Sequence, residues 1–324
     1  MGIAAGCGVA LLYAMGTQVL FRAGGSSGLT AVMSVGFLFL VPLAAGVLTV
    51  ALAPEADGVS APYAVFAPWL ACLALGGLTV ALAMDAAICV VMAMPLLFIM
   101  SSLGGLATLG VRRSLRGSGG GQGAPGGRPE TFALALVVLG PYLVTPLEQQ
   151  APAPDSWRTV RTAVVVSAPR EAVWRNVARV PYITDAEQRG SLFYALGLPR
   201  PREAVLSQEG VGGLRTARFD SGLTFLEQVT SWDEGRALGF TIRIDRTAPM
   251  PPPLAGVGGR YFDILDGEFR LSPRPDGTVL LELTSRQRVS TRFNPYAGLW
   301  TDWIMRDLQQ NILEVIEARA EAGA

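Results

Sequence analysis

The chain has 324 residues, half of them apolar and only 16% charged, with a mean hydropathy of +0.38. That is too oily for a wholly water-soluble chain of this size, so part of it is expected in lipid. Basic and acidic residues balance at 26 each, leaving no field to attract nucleic acid, and the absence of histidine removes Ser-His, Cys-His and His-metal chemistry. Neither a metal nor a cofactor is expected. Cys7, Cys72 and Cys89 lie in apolar stretches and read as small buried hydrophobes.

Charge divides the chain. Through Gln150 it is confined to Arg22, Glu55, Asp57, Asp85, Arg112, Arg113, Arg116, Arg128, Glu130 and Glu148. Apolar runs at about 3–21, 29–53, 63–83, 86–110 and 131–147 predict a transmembrane region, 1–150, of about five helices, since a crossing needs roughly 20 residues. The first run lacks the basic start and cleavage site of a secretory signal and is expected to remain. The third and fourth form a helical hairpin with Asp85 at its tip. The fifth is short and holds Pro141 and Pro146, so an interfacial or re-entrant segment also fits it. Gly76-Gly77 and Gly104-Gly105 suit close helix approach. Between 112 and 130, SGGGQGAPGG predicts a flexible Gly-rich loop whose four arginines favour the cytoplasmic side. Residues 151–324 then follow on the non-cytoplasmic side of a bacterial-type inner or plasma membrane.

From Trp157 the composition becomes that of a soluble α+β domain. RTVRTAVVVSA, 158–168, reads as a strand, and Pro169 opens a short helix, REAVWRNVA. A second helical stretch at about 185–196 precedes antiparallel strands near 203–208, 213–220, 223–232, 236–245, 260–272 and 278–292. Asp220-Ser-Gly222, Asp233-Glu-Gly235 and Arg274-Pro-Asp-Gly277 supply hairpin turns. After Asn294-Pro295, apolar residues from Tyr296 to Ile316 recur at three and four, an amphipathic helix that lies on the sheet.

Four stretches carry a resemblance: VVVSAPREAVWRNVARV, GLTFLEQVTSWDEGRALGFTI, GEFRLSPRPDGTVLLELTSRQ and the long closing helix with Leu299, Trp300 and Trp303. Over about 158–322 they resemble the START-like or SRPBCC (polyketide cyclase/dehydrase-like) superfamily. The resemblance implies a helix-grip fold: a curved antiparallel sheet around a long C-terminal helix, enclosing an apolar cavity. Members share an outline and do unrelated jobs, so it implies no catalytic residue.

Strand alternation points Leu238, Phe240 and Ile242, and Val279, Leu281 and Leu283, toward the helix. With Phe225, Trp300, Trp303 and Ile304 they either bound a cavity for a hydrophobic small molecule (lipid, isoprenoid, sterol or polyketide-like) or fill one another. If the face it shares with Phe225 and Val229 is inward, Glu227 is a carboxylate in an apolar setting, with Arg215, Arg218 and Arg286 as candidate partners. Tyr296 is a candidate hydrogen-bonding group for a ligand. Ala248 to Gly259 reads as a lid, a loop touching the bilayer, or a long hairpin connection. The leading expectation is membrane-anchored binding or transfer of a hydrophobic molecule without catalysis. One alternative is a cyclase/aromatase-like enzyme working through Glu227, Arg218 or Tyr296. A second is a non-catalytic interaction or sensing module.

Overall fold

The computed structural model describes residues 2–23, 33–54, 59–117, 129–247 and 256–323. The chain divides into two compact units, Met1–Pro152 and Ala153–Ala324.

The first unit is helical: α1 (Gly2–Ala23), α2 (Val41–Ala51, entered through a π-helical turn, Gly36–Leu40), α3 (Ala61–Ala81), α4 (Ala87–Gly117) and α5 (Pro129–Gln150). The π turn has a local cause. Pro42 has no N–H to give, and the Val41 N–H reaches back five residues to the Gly36 carbonyl. Arg22 at the end of α1 pairs with Asp85 in the α3–α4 turn at 2.5 Å, and Gln18 donates to the same carboxylate. Near the end of α5, the Glu148 carboxylate accepts the N–H groups of Val35 and Gly36, while Arg112 on α4 donates to the Ala51 and Ala53 carbonyls. The helices therefore run alternately up and down.

The interior of this unit mixes small and hydroxylated residues (Ala10, Ala44, Gly46, Ala71, Ser101) with large ones such as Phe37, Leu75 and Leu97, while Leu12, Leu70, Leu103 and Leu143 are exposed on its outside. The glycines set the spacing: a Cβ on Gly46, Gly104 or Gly105 would lie 1.9–2.1 Å from a carbonyl oxygen of a neighbouring helix. Among the described residues, Ala61–Ala81 and Ala87–Ser114 are long and apolar enough to cross a membrane, while Gly36–Ala51 is shorter. The expected loop at 112–130 is corrected at both ends. Arg112–Gly117 continues α4 and Pro129 opens α5, because nothing breaks the helix before Gly117; residues 118–128 lie outside the described ones.

Among the described residues the second unit is a seven-stranded antiparallel sheet with three α-helices and one 3-10 turn, Asp220–Gly222. In chain order these are β1 (Ser156–Val166), α6 (Arg170–Ala178), α7 (Leu192–Ala195), β2 (Pro201–Leu206), β3 (Leu214–Phe219), β4 (Thr224–Asp233), β5 (Ala237–Ile244), β6 (Phe262–Pro273), β7 (Val279–Val289) and α8 (Asn294–Ala322). The sheet order is β1-β7-β6-β5-β4-β3-β2. The turn signals act as expected: Ser221, Gly222, Gly235 and Gly277 all take positive φ. Register shifts at Pro201/Glu203, Val229/Ser231 and Ile264/Asp266 place irregularities in three strands, which bend the sheet around α8. This is the helix-grip arrangement.

The second helical stretch is corrected from about twelve residues to the single turn of α7. Glu187 takes the Thr184 N–H, Ser191 caps Phe193, and Gly197 leaves the helix at φ +92°. Toward one end the domain is packed solid, where Trp174 and Val177 of α6 meet Leu238, Phe269, Leu281, Leu313 and Ile316.

Candidate functional site

Beyond that solid end the sheet and α8 leave a cavity of about 90 Å³. β2 and β3 supply Ala204 and Ala217, β4 supplies Phe225 and Glu227, and β5 supplies Phe240 and Ile242. Gly267 and Phe269 come from β6, Leu283 and Ser285 from β7, and Met305, Leu308, Gln309 and Ile312 from α8. Small residues, Ala204 and Ala217, stand at inward strand positions of the lining. Gly267 lies opposite Phe240 in the ladder and receives its ring: a Cβ there would meet that ring at 2.8 Å.

Besides Glu203 on β2, which pairs with Arg218, two buried polar devices stand in the largely apolar wall. Arg215 and Glu227 are direct cross-strand partners on β3 and β4 and form an ion pair, their side chains only 4% and 10% exposed. The Arg215 guanidinium also lies 5.7 Å from the Phe240 ring centre and 5.8 Å from that of Phe269. Burial pushes the Glu227 carboxyl up from its ordinary value, against the pull of Arg215. The Arg215 Nε–H has no acceptor among the described residues. The second device is Gln309 on α8. It accepts from Thr162 Oγ1 at 2.7 Å and donates to Ser285 Oγ at 2.8 Å and to the Val160 carbonyl at 3.3 Å, which pins the helix to β1 and β7.

Of the residues singled out in the sequence, Phe225, Glu227, Phe240, Ile242 and Leu283 line the cavity. Leu238 and Leu281 do not: alternation points them inward, but they fall in the solid end against Leu313 and Ile316. Tyr296, Trp300, Trp303 and Ile304 do not line it either. They precede the lining turns of α8, and Trp303 packs edge-on against Phe193 at 4.9 Å. Glu227, Arg218 and Tyr296 are not assembled: Arg218 pairs with Glu203, and neither it nor Tyr296 lines the cavity. Arg286 pairs with Asp266. Ala248–Ala255 lies outside the described residues.

Sequence reasoning missed Ala204, Ala217, Gly267 and the helix face of Met305, Gln309 and Ile312. A signal was available. Gln309 interrupts an otherwise apolar stripe, and small residues at inward strand positions mark missing volume. Among the described residues no cluster of metal-ligating side chains occurs.

The second unit is thus an α+β domain of the helix-grip class with an internal cavity. No protein-family model and no curated protein matches the chain. Solved structures similar to it include a protein from Chromobacterium violaceum, at 20% identity over 50% of this chain and 96% of that one, with a TM-score of 0.30. The ZhuI aromatase/cyclase from a Streptomyces species is similar at 19% identity over 51% of this chain and 94% of its own, with a TM-score of 0.31. A truncated norcoclaurine synthase from Thalictrum flavum is similar at 11% identity over 50% and 94%, with a TM-score of 0.31.

Proposed function

We propose that this chain is anchored in a bilayer by α1–α5 and that its domain 153–324 binds a hydrophobic small molecule, without transforming it, in the space between sheet and α8. The observation that carries the reading is the cavity itself: an apolar lining with a single buried ion pair on its wall. Size limits the guest. A cavity of about 150 Å³ takes benzene, so 90 Å³ admits one ring-sized group only when a side chain yields. Met305 is the most adaptable candidate in the lining. The Glu227 carboxylate is committed to Arg215, so the wall around the guest offers chiefly apolar contact. A ligand that partitions into lipid is concentrated next to a tethered domain, which raises encounter without high affinity.

The apolar exterior of the helices supports the anchoring. Arg112 and Arg113 near the end of α4 favour the cytoplasm for that end by the positive-inside rule, which with alternating helices supports reading residue 153 on the opposite side. To test binding, the full chain and its Ala217→Leu variant are purified in detergent, extracted with organic solvent and compared by mass spectrometry. Three added carbons in the cavity should remove a compound that accompanies the wild type. Identical extracts from both would refute the proposal.

A further inference from the structure

The start of α8 presents an aromatic face that the cavity does not use. Leu299 is 67% exposed and Trp303 51%; Trp300 stacks on Trp303 at 5.6 Å, and beside Phe193 the neighbouring Leu192 is 59% exposed. One turn further on, the outward side chain is Arg306, exposed and without an ion pair among the described residues, followed by Gln310. Apolar side chains of this size gain free energy when they leave water. Tryptophan, with an apolar body and a polar edge, suits the headgroup level of a bilayer, and an adjacent arginine suits lipid phosphates.

We propose that this face, Leu299, Trp300 and Trp303 with Leu192, inserts into the interfacial region of an anionic bilayer. The inference rests on the reading that α1–α5 lie in that bilayer. Covalent reach supports it. Asn294 Nδ2 donates to the Pro154 carbonyl at 2.7 Å and Arg158 Nε to Asp302 at 2.8 Å, so the start of α8 is held beside the start of β1. Residues 151–155, which separate α5 from β1, span at most about 18 Å when extended. This end of the domain cannot move far from the membrane that holds α5. A second copy fits less well as the occupant, because four side chains fall far short of the roughly 800 Å² per partner of a stable interface.

The test uses the full chain reconstituted in phosphatidylcholine vesicles containing one quarter phosphatidylglycerol, with bromine carried near the headgroup end of the acyl chains. Trp69 on α3 reports insertion of the helices; Trp300 and Trp303 report docking. In a Trp157→Phe background, which removes the exposed tryptophan at the start of β1, quenching should persist in Trp69→Phe, while Trp300→Phe/Trp303→Phe should leave only the part that Trp69 carries. Leu299→Asp, at an exposed position, should weaken it without unfolding the domain. Quenching confined to Trp69 overturns the docking and leaves the anchoring intact, whereas quenching of none of the three overturns both. Protection of Trp300 and Trp303 from aqueous iodide without bromine quenching, lost on dilution in lipid, means that a second copy covers the face and also overturns the proposal.

Discussion

Replacing Arg215 with Met leaves the Glu227 carboxylate buried and alone while nearly conserving volume. Removing one member of a buried ion pair costs about 3–5 kcal/mol, because the remaining charge loses its partner and cannot regain water. For a domain of this size each kcal/mol lowers the melting temperature by about 2–4 °C, so a drop on the order of 10 °C is expected at neutral pH. The loss should depend on pH in a defined direction. Burial already raises Glu227 above its ordinary 4.5, and without Arg215 it rises further. A carboxyl whose folded value exceeds its unfolded value binds more protons folded than unfolded. Stability therefore falls as pH climbs from about 4.5 toward the folded value and returns on acidification. The double variant Arg215→Met/Glu227→Leu removes both charges and should recover most of the deficit. The assay is thermal unfolding of the full chain in detergent at several pH values, followed by near-ultraviolet circular dichroism of the edge-to-face Trp174–Trp232 pair, which reports this unit rather than the helices. An Arg215→Met protein that melts with the wild type at neutral pH, or a double variant no better than the single one, would refute the reasoning.

Gln309→Leu strands Thr162 and Ser285 and should cost about 1–3 kcal/mol, measured by the same melting signal. Gly104→Val should disrupt the helical unit, since its Cβ would lie 2.1 Å from the Leu43 carbonyl oxygen, while Gly77→Val has open space around it and should be tolerated; yield of folded protein after detergent extraction separates them. Arg319, with help from the Thr184 N–H and hydroxyl, holds the Glu187 carboxyl down at about 2. Because the folded value is depressed, the stabilisation is complete above the unfolded 4.5 and is lost as pH falls toward 2. Acid titration of Glu187→Gln should therefore be flatter across that window.

Local pattern alone sufficed for much of the outline. Val and Thr alternation marked the start of β1, Asp-Glu-Gly235 and Pro-Asp-Gly277 marked their hairpins, and Asn294-Pro295 marked the start of α8, because each depends on backbone preferences within a few residues. Periodicity also set Glu227 on the same strand face as Phe225 and Val229, all three of which are buried. Which inward residues meet empty space was decided by the tertiary structure. Leu238 and Phe240 share one face of one strand, yet α6 fills the space before Leu238, whereas Phe240, its ring laid over Gly267, borders the cavity with Ala217. Along α8 the apolar stripe runs from Trp303 to Ile316, interrupted at Gln309, and the seating of Gln309 against β1 and β7 sets Met305 and Ile312 rather than Trp303 on the cavity. A residue's type and spacing set which way it points. Whether anything fills the volume it points into depends on side chains brought from distant parts of the chain, a sum that no single stretch of sequence contains.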